Sequence, residues 1–253
     1  MANVTAIYFS PTGNSEKSVM AMAQAISEDV TKVDLTASAE APQMEFSADD
    51  IVVIGAPVYG GRIVKAAAAR MTGLKGNGTP CIIVASYGNR HYDDALVEMQ
   101  DMFTEAGFVI AGAAAPIGRH TFGEIQVDRP NADDIVESAE FAKKVMEKIQ
   151  SGADIAAFEI PGNRPYKDGG KGGNFRPLTS DACVNCGLCR KKCPMAAIAD
   201  DNKTINNDLC ISCFRCIRKC PVKAKNLDTP EYNSFAEGFT ERLKARRENE
   251  FYL

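Results

Sequence analysis

The 253-residue chain contains no tryptophan and only two histidines, so any aromatic stacking falls to tyrosine or phenylalanine. It also lacks long apolar stretches. The longest nearly uncharged runs, 51–61 and 108–118, cover 11 residues each, short of the ~20 that a bilayer requires, and no membrane span is expected. The N-terminus, Met1-Ala2-Asn3-Val4, carries no basic segment and no cleavage signature. No secretory signal is therefore expected, and the expected compartment is the cytoplasm. Neither a glycine-rich loop ending in Gly-Lys-Ser/Thr nor a G-x-G-x-x-G run occurs, which argues against a P-loop NTPase and a dinucleotide fingerprint. With 45% hydrophobic and 25% charged residues, the chain is no disordered polymer, collagen or coiled coil. It suits one large or two modest soluble domains.

Charge is divided unevenly. Residues 1–160 hold 12 Lys and Arg against 22 Asp and Glu, whereas residues 161–228 hold 13 against 6. A basic segment of this kind raises the question of nucleic acid. No aromatic-interleaved basic platform accompanies it, and nucleic-acid binding is not expected.

Eight of the nine cysteines lie between Cys183 and Cys220. In a cytosolic chain such clustering points to metal ligation rather than to disulfides. The spacing is Cys183-x-x-Cys186-x-x-Cys189-x-x-x-Cys193-Pro194, and it recurs 27 positions later as Cys210, Cys213, Cys216, Cys220 and Pro221. Ala197 and Ala224 share that offset, as expected of a duplicated half-domain. This is the bacterial two-cluster ferredoxin run, present twice. Two-residue gaps let three thiolates of one tight loop reach three irons of a cubane. The fourth cysteine is expected to begin a helix that leads away, with proline in its first turn, and so to ligate the other cluster. Cys183, Cys186, Cys189 and Cys220 are thus assigned to one [4Fe–4S] cluster, and Cys193, Cys210, Cys213 and Cys216 to a second. Zinc sites are usually built from separated pairs instead. Arg190, Lys191, Lys192, Arg215, Arg218 and Lys219, lying between ligands, are expected to offset the negative charge of the clusters.

The first half alternates β-rich and helical runs. Strands are expected over 4–9, 31–35, 51–55, 81–86 and 108–113, and helices over about 14–26, 63–74, 93–106 and 132–149. This order implies βαβ units. The fold class expected is α/β, a flavodoxin-like doubly wound five-stranded parallel sheet followed by a small α+β two-[4Fe–4S] ferredoxin domain. The division is 1–155 for the first domain, 156–178 for a linker or strap rich in Pro and Gly, 179–228 for the ferredoxin domain, and 229–253 for a helical tail in which Phe235, Phe239 and Leu243 are spaced four apart.

Three loops follow carboxyl ends of expected strands, where such sheets bind ligands. The first, Phe9-Ser10-Pro11-Thr12-Gly13-Asn14-Ser15, leads into a helix N-terminus and suits an anion. The second is Ala56-Pro57-Val58-Tyr59-Gly60-Gly61-Arg62, and the third is Ser86-Tyr87-Gly88-Asn89-Arg90-His91-Tyr92-Asp93-Asp94. On these residues the chain resembles flavodoxins across roughly 1–155, and on its cysteines it resembles two-cluster ferredoxins across 179–228. The succession looks like the ferredoxin-fused flavodoxins of anaerobic bacteria. The resemblance implies FMN, with its phosphate on Ser10, Thr12, Gly13, Asn14 and Ser15. Its ring would lie between Pro57, Val58, Tyr59, Gly60 and Gly61 on one side and the third loop, with Ser86, Tyr87, Gly88, Asn89, Tyr92 and Asp94, on the other. Gly60, then Gly61, is the implied glycine whose peptide flips toward the reduced ring. Tyr59, Tyr87 and Tyr92 compete as the stacking residue. The chain departs from the family in lacking tryptophan and in having Ser15 where many flavodoxins have threonine.

Other residues carry less. Cys81 reads as a buried free thiol. His91 either contacts the flavin or begins a helix, and Asp93 and Asp94 are expected to cap that helix. His120 either faces the flavin or the ferredoxin domain as a proton donor, or has no role. No side chain is marked as a substrate acid, base or nucleophile. Electron relay between FMN, two [4Fe–4S] clusters and a soluble redox partner is the reading favoured. A flavin-dependent reductase of a small molecule and a redox sensor stay open as alternatives, and a homo-oligomer is compatible with the sequence.

Overall fold

The computed structural model describes residues 3–37 and 40–253. The first half runs β1 (Val4–Tyr8), α1 (Asn14–Ile26), β2 (Val30–Asp34), β3 (Met44–Phe46), β4 (Ile51–Tyr59), β5 (Arg62–Ile63), α2 (Lys65–Met71), β6 (Leu74–Gly76), β7 (Thr79–Ser86), α3 (Ala95–Glu105), β8 (Phe108–Ala115) and α4 (Ala132–Gln150). The second half adds β9 (Leu178–Thr179), α5 (Leu188–Lys191), α6 (Arg215–Arg218), β10 (Lys225–Asn226), α7 (Pro230–Arg242) and β11 (Glu250–Tyr252). Strands β2, β1, β4, β7 and β8 are parallel and lie side by side in that order. This is the flavodoxin-like doubly wound arrangement, whose switch point falls between β1 and β4.

The central strands are buried on both faces because their side chains are apolar on both. Val53, Ile82 and Val84 meet Val19 and Met22 of α1 and Phe141 and Val145 of α4. Ile54 and Ile83 meet Met71 of α2 and Leu96 and Phe103 of α3. Helix α4 is set by a capping box, in which Asn131 accepts from the Asp134 N–H and the Asp134 carboxylate accepts from the Asn131 N–H, satisfying donors that a helix start leaves open.

The tail differs from the expected helix. α7 stops at Arg242, and the chain then extends across the flavodoxin half to form β11, antiparallel to β8 at Ala113–Ala115. Asn89 draws it there, its side-chain amide donating to the carbonyls of Leu243 (2.8 Å) and Ala245 (2.7 Å). Phe251 then stacks on Phe141, with centroids 4.9 Å apart. An open sheet edge is covered in this way, and the sheet gains an antiparallel strand beyond the five expected. The cysteine-rich segment is therefore tied to the flavodoxin half at both of its ends.

The strap at 161–177 has no regular element but is firmly held. Asp94 accepts from the Asn163 N–H (2.8 Å), the Asn163 amide (3.0 Å) and the Lys167 N–H (2.8 Å). Asp101 pairs with Arg164 and with the Tyr166 hydroxyl. In the cysteine-rich domain the two short helices α5 and α6 carry the third cysteines, Cys189 and Cys216, at the 27-residue offset. Cys193-Pro194 and Cys220-Pro221 lead into turns, not into the helix expected. The turn serves another purpose: it brings the Ala197 N–H to Cys193 Sγ (3.3 Å) and the Ala224 N–H to Cys220 Sγ (3.2 Å). The alanines that repeat in the sequence mark these two N–H donors.

Candidate functional site

A cavity of about 270 Å³ opens at the carboxyl ends of β1, β4 and β7. Ser10, Thr12, Asn14 and Ser15 line it from the first loop, Pro57, Val58, Tyr59 and Gly60 from the second, and Ser86, Tyr87 and Gly88 from the third. Gly13, at φ 95°, is the N-cap of α1, a left-handed position that glycine occupies without strain. The turn aims the start of α1 at the cavity, with its free N–H groups and positive dipole end.

Most polar groups of the loops brace one another. Ser10 Oγ accepts from the Glu16 N–H (3.0 Å), and the Ser15 and Ser86 hydroxyls lie 2.6 Å apart, joining first loop to third. Asn14 donates to the Arg119 carbonyl (2.9 Å). The Thr12 hydroxyl has no hydrogen bond among the described residues. Of the residues lining the cavity, Arg119 also carries a buried polar atom without a partner, Nε, and such a group is costly unless a ligand satisfies it. Burial pushes the Tyr87 phenol up to about 12, so it is a neutral donor. A helix N-terminus, a free hydroxyl and an arginine with an orphaned donor around a cleft with tyrosine walls fit a flat, phosphorylated group such as FMN.

Four residues of the third and second loops fall outside the cavity lining. Asn89 holds the tail, as above. The Asp94 carboxylate anchors the strap. Tyr92 is buried against Glu250 (2.7 Å) and the Tyr252 hydroxyl (2.5 Å). Gly61 packs on Asp93. Tyr59 and Tyr87 therefore remain as wall aromatics. His91 stacks on Tyr92, and its Nδ1 accepts from the Asp93 N–H (2.8 Å), so it braces the turn before α3. Cys81 is buried in β7, and burial pushes its thiol up.

Two walls were not legible beforehand as a site. Arg119, His120, Thr121 and Phe122, after β8, form one, and Lys171, Gly172 and Gly173 of the strap form another, with Ser212 beside them. His120 and the glycines of the strap were the only signals for them in the sequence. His120 is held neutral, burial lowering it from 6.5 to about 4. Its Nδ1 lies 2.8 Å from the Phe122 N–H and 3.0 Å from the Phe122 carbonyl oxygen, so the chain holds this nitrogen in either tautomer. Burial, with Cys213 close by, raises the Tyr59 phenol well above its ordinary range.

The cysteines form two rings. Cys193, Cys210, Cys213 and Cys216 surround one cavity with Pro194, Ile205 and Phe214, and Cys183, Cys186, Cys189 and Cys220 surround another with Leu188, Val222 and Lys225. Among the described residues no three His, Cys, Asp or Glu side chains converge closely enough for a single metal ion. Thiols spread around a void fit a larger inorganic group. Burial pushes Cys213 and Cys216 up to about 12. Burial also opposes ionisation of Cys220, but the N–H groups of Lys225, Val222, Ala224 and Lys223 outweigh it and lower its value. Of the basic residues between ligands, Arg190 pairs with Asp200. Arg215 and Arg218 turn instead to the flavodoxin half, Arg218 donating to the His120 carbonyl (3.0 Å).

Comparison with known proteins agrees with this division. Residues 5–72 match the model of the flavodoxin domain, and residues 178–221 match that of the 4Fe-4S dicluster domain. Among curated proteins none matches the chain. Solved structures similar to it include a flavodoxin from the domain Archaea (15% identity, TM-score 0.41, 59% of this chain and 99% of that one) and oxidised flavodoxin 2 from Bacillus cereus (15%, 0.43, 58% and 99%). Rubredoxin oxygen:oxidoreductase from Desulfovibrio gigas is a third (15%, 0.43, 59% and 36%). Residues 5–72 and 178–221 thus form a flavodoxin domain followed by a 4Fe-4S dicluster domain, matching a flavodoxin–ferredoxin fusion, and the two domains support an electron-transfer flavo-iron-sulfur protein. Among the described residues no helix is long and apolar enough to cross a membrane.

Proposed function

We propose that the chain relays electrons between one FMN and two [4Fe–4S] clusters and exchanges them with a soluble redox partner in the cytoplasm. One observation carries this reading: Ser212, between Cys210 and Cys213, lines the same cavity as Thr12 and Tyr87. The flavin cleft and a cysteine ring thus share a wall. When bound, FMN supplies one- and two-electron chemistry and each cluster one-electron chemistry. The protein's part is to hold and tune them. Thr12 and the N–H groups of Gly13, Asn14 and Ser15 would hold the phosphate. Pro57, Val58, Tyr59 and Gly60 would face the ring from one side, and Ser86, Tyr87 and Gly88 from the other. The two cysteine rings would hold the clusters in the crossed pairing, and Ala197 and Ala224 would donate to the sulfurs of Cys193 and Cys220.

The test is an anaerobic preparation assayed for iron, acid-labile sulfide and FMN, with spectra before and after dithionite. About eight irons and eight sulfides per chain are expected, with one FMN released on denaturation. A colourless, iron-poor product after anaerobic reconstitution overturns the reading. A second reading, a reductase of a small molecule, draws support from the roof that Lys171–Gly173 and neutral His120 place over the cleft. Reoxidation of the reduced protein by a small organic acceptor, competing with FMN-site blockers, would favour it over the carrier.

A further inference from the structure

We infer that the two clusters act in series. The one held by Cys193, Cys210, Cys213 and Cys216 is the flavin's immediate electron partner, and the one held by Cys183, Cys186, Cys189 and Cys220 reaches the flavin only through it. This rests on the relay reading above and adds the order of the sites.

The inner ring is joined to the flavin cleft and its strap at each of the four residues between the ligands of its tight loop, Ile211, Ser212, Phe214 and Arg215. Ile211 meets the strap where a side chain on Gly172 would come within 2.2 Å of the Ile211 carbonyl oxygen, so only glycine lets the two backbones lie together. The buried Ser212 hydroxyl reaches the strap carbonyls of Gly173 (2.6 Å) and Phe175 (2.7 Å) and also lines the cleft. Phe214 packs on Phe122 of the cleft wall, with centroids 5.2 Å apart. Arg215 donates to the carbonyls of Ser10 and Pro11 in the phosphate loop. Tyr59 lines the same cleft as Ser212. Only packed protein separates this ring from the flavin, since Cys213 is 8% exposed and Phe214 5%.

The outer ring differs in each respect. Among the described residues no hydrogen bond joins the residues lining it to any residue before 178. Cys186 is exposed, and its neighbours Val184 and Val222 are 64% and 41% exposed. The internal repeat makes the two rings equivalent in sequence. The strap and the phosphate loop make them unequal, because both pack on the second repeat's loop.

Each step moves one electron and breaks no bond. An electron supplied by a low-potential soluble redox protein leaves the outer cluster oxidised as the inner one is reduced, then leaves the inner one oxidised as the flavin is reduced. The reverse order serves a flavin that is being oxidised.

The test compares the anaerobic holoprotein with two double variants, Cys183→Ala/Cys186→Ala for the outer ring and Cys213→Ala/Cys216→Ala for the inner. The readout is spin relaxation of the flavin EPR signal in partly reduced samples, measured by microwave power saturation, because a nearby paramagnetic cluster speeds relaxation. The outer-ring variant is expected to keep the fast relaxation of the parent, and the inner-ring variant to lose it. Loss in the outer-ring variant overturns the order, as does its retention in the inner-ring variant. If the inner-ring variant does not fold, the outer-ring variant decides alone. A parent protein without FMN or without iron instead brings down the relay reading itself.

Discussion

Arg215 and Pro11 are 204 residues apart, yet the Arg215 guanidinium donates to the Pro11 carbonyl at 2.8 Å. The same nitrogen reaches the Ser10 carbonyl at 3.2 Å, and Nε is buried without a partner. A cation on a cluster-binding loop is thereby fixed under the loop that would receive a phosphate. Removing it deletes hydrogen bonds from a charged donor, each worth roughly 1.5–3 kcal/mol. Arg215→Ala is expected to weaken FMN binding by about tenfold or more, as 1.4 kcal/mol corresponds to a factor of ten. Fluorescence titration of flavin-depleted protein measures this. Riboflavin binding should change less, because it lacks the phosphate, and unchanged affinity for FMN refutes the link.

Thr12→Glu places a carboxylate at the helix start where an anion would bind. Like charges in a site that excludes water repel strongly. The variant should lose flavin and retain iron, read by absorbance and metal analysis of one preparation. Full flavin content would show that the phosphate lies elsewhere.

Cys220→Ala should damage the cluster built on Cys183, Cys186 and Cys189, although 27 positions separate Cys220 from Cys193, its counterpart in the first repeat. Cys220 shares a cavity with the first three and not with Cys210. Iron should fall by about half, from about eight per chain. EPR should show the surviving signal to be the one that Cys213→Ala abolishes.

Asp94→Ala should release the strap. The carboxylate is 1% exposed and accepts three hydrogen bonds from Asn163 and Lys167. Burial opposes its ionisation, but these donors prevail and hold it below the ordinary range. Deleting hydrogen bonds to a charged acceptor costs roughly 1.5–3 kcal/mol. Limited proteolysis should cut within 161–177 faster in the variant than in the parent, while the cysteine-rich domain keeps its iron.

His120 makes stability depend on pH. Its folded value, about 4, lies below its ordinary 6.5, so the unfolded chain takes up a proton that the native one refuses. The stabilisation is complete above about pH 6.5 and is lost as pH falls toward 4, a total on the order of 3 kcal/mol. His120→Gln removes this dependence. The difference in Tm between parent and variant should shrink from pH 7.5 to pH 4.5, and a constant difference would exclude the effect.

Much of the site was legible because its signals are local. The first loop reads as an anion site from strand, hydroxyls, glycine and helix start, and the cysteine spacing specifies two rings. Asn89, Tyr92 and Asp94 lie outside the cavity lining for a physical reason. Their polar groups sit in a loop that faces two ways, and in the folded chain they bind the tail and the strap, whose positions no local pattern reveals. The helical reading of the tail holds over Pro230–Arg242 and ends there. Phe235, Phe239 and Leu243 do sit on or at the end of a helix, but the edge strand that follows exists only because β8 would otherwise be open.

The sequence by itself determined the parallel sheet, the three loops at its carboxyl ends and the two cysteine sets, since hydrophobic period, turn chemistry and ligand spacing act over a few residues. Tertiary structure alone decided that the chain returns to the first domain through Asn89 and β11. It also decided that the strap roofs the cleft through Asp94, and that one of two equivalent cysteine loops faces it. Those outcomes depend on contacts between segments up to some 200 residues apart, such as Arg215 with Ser10, and only the packed chain brings such partners within hydrogen-bonding range.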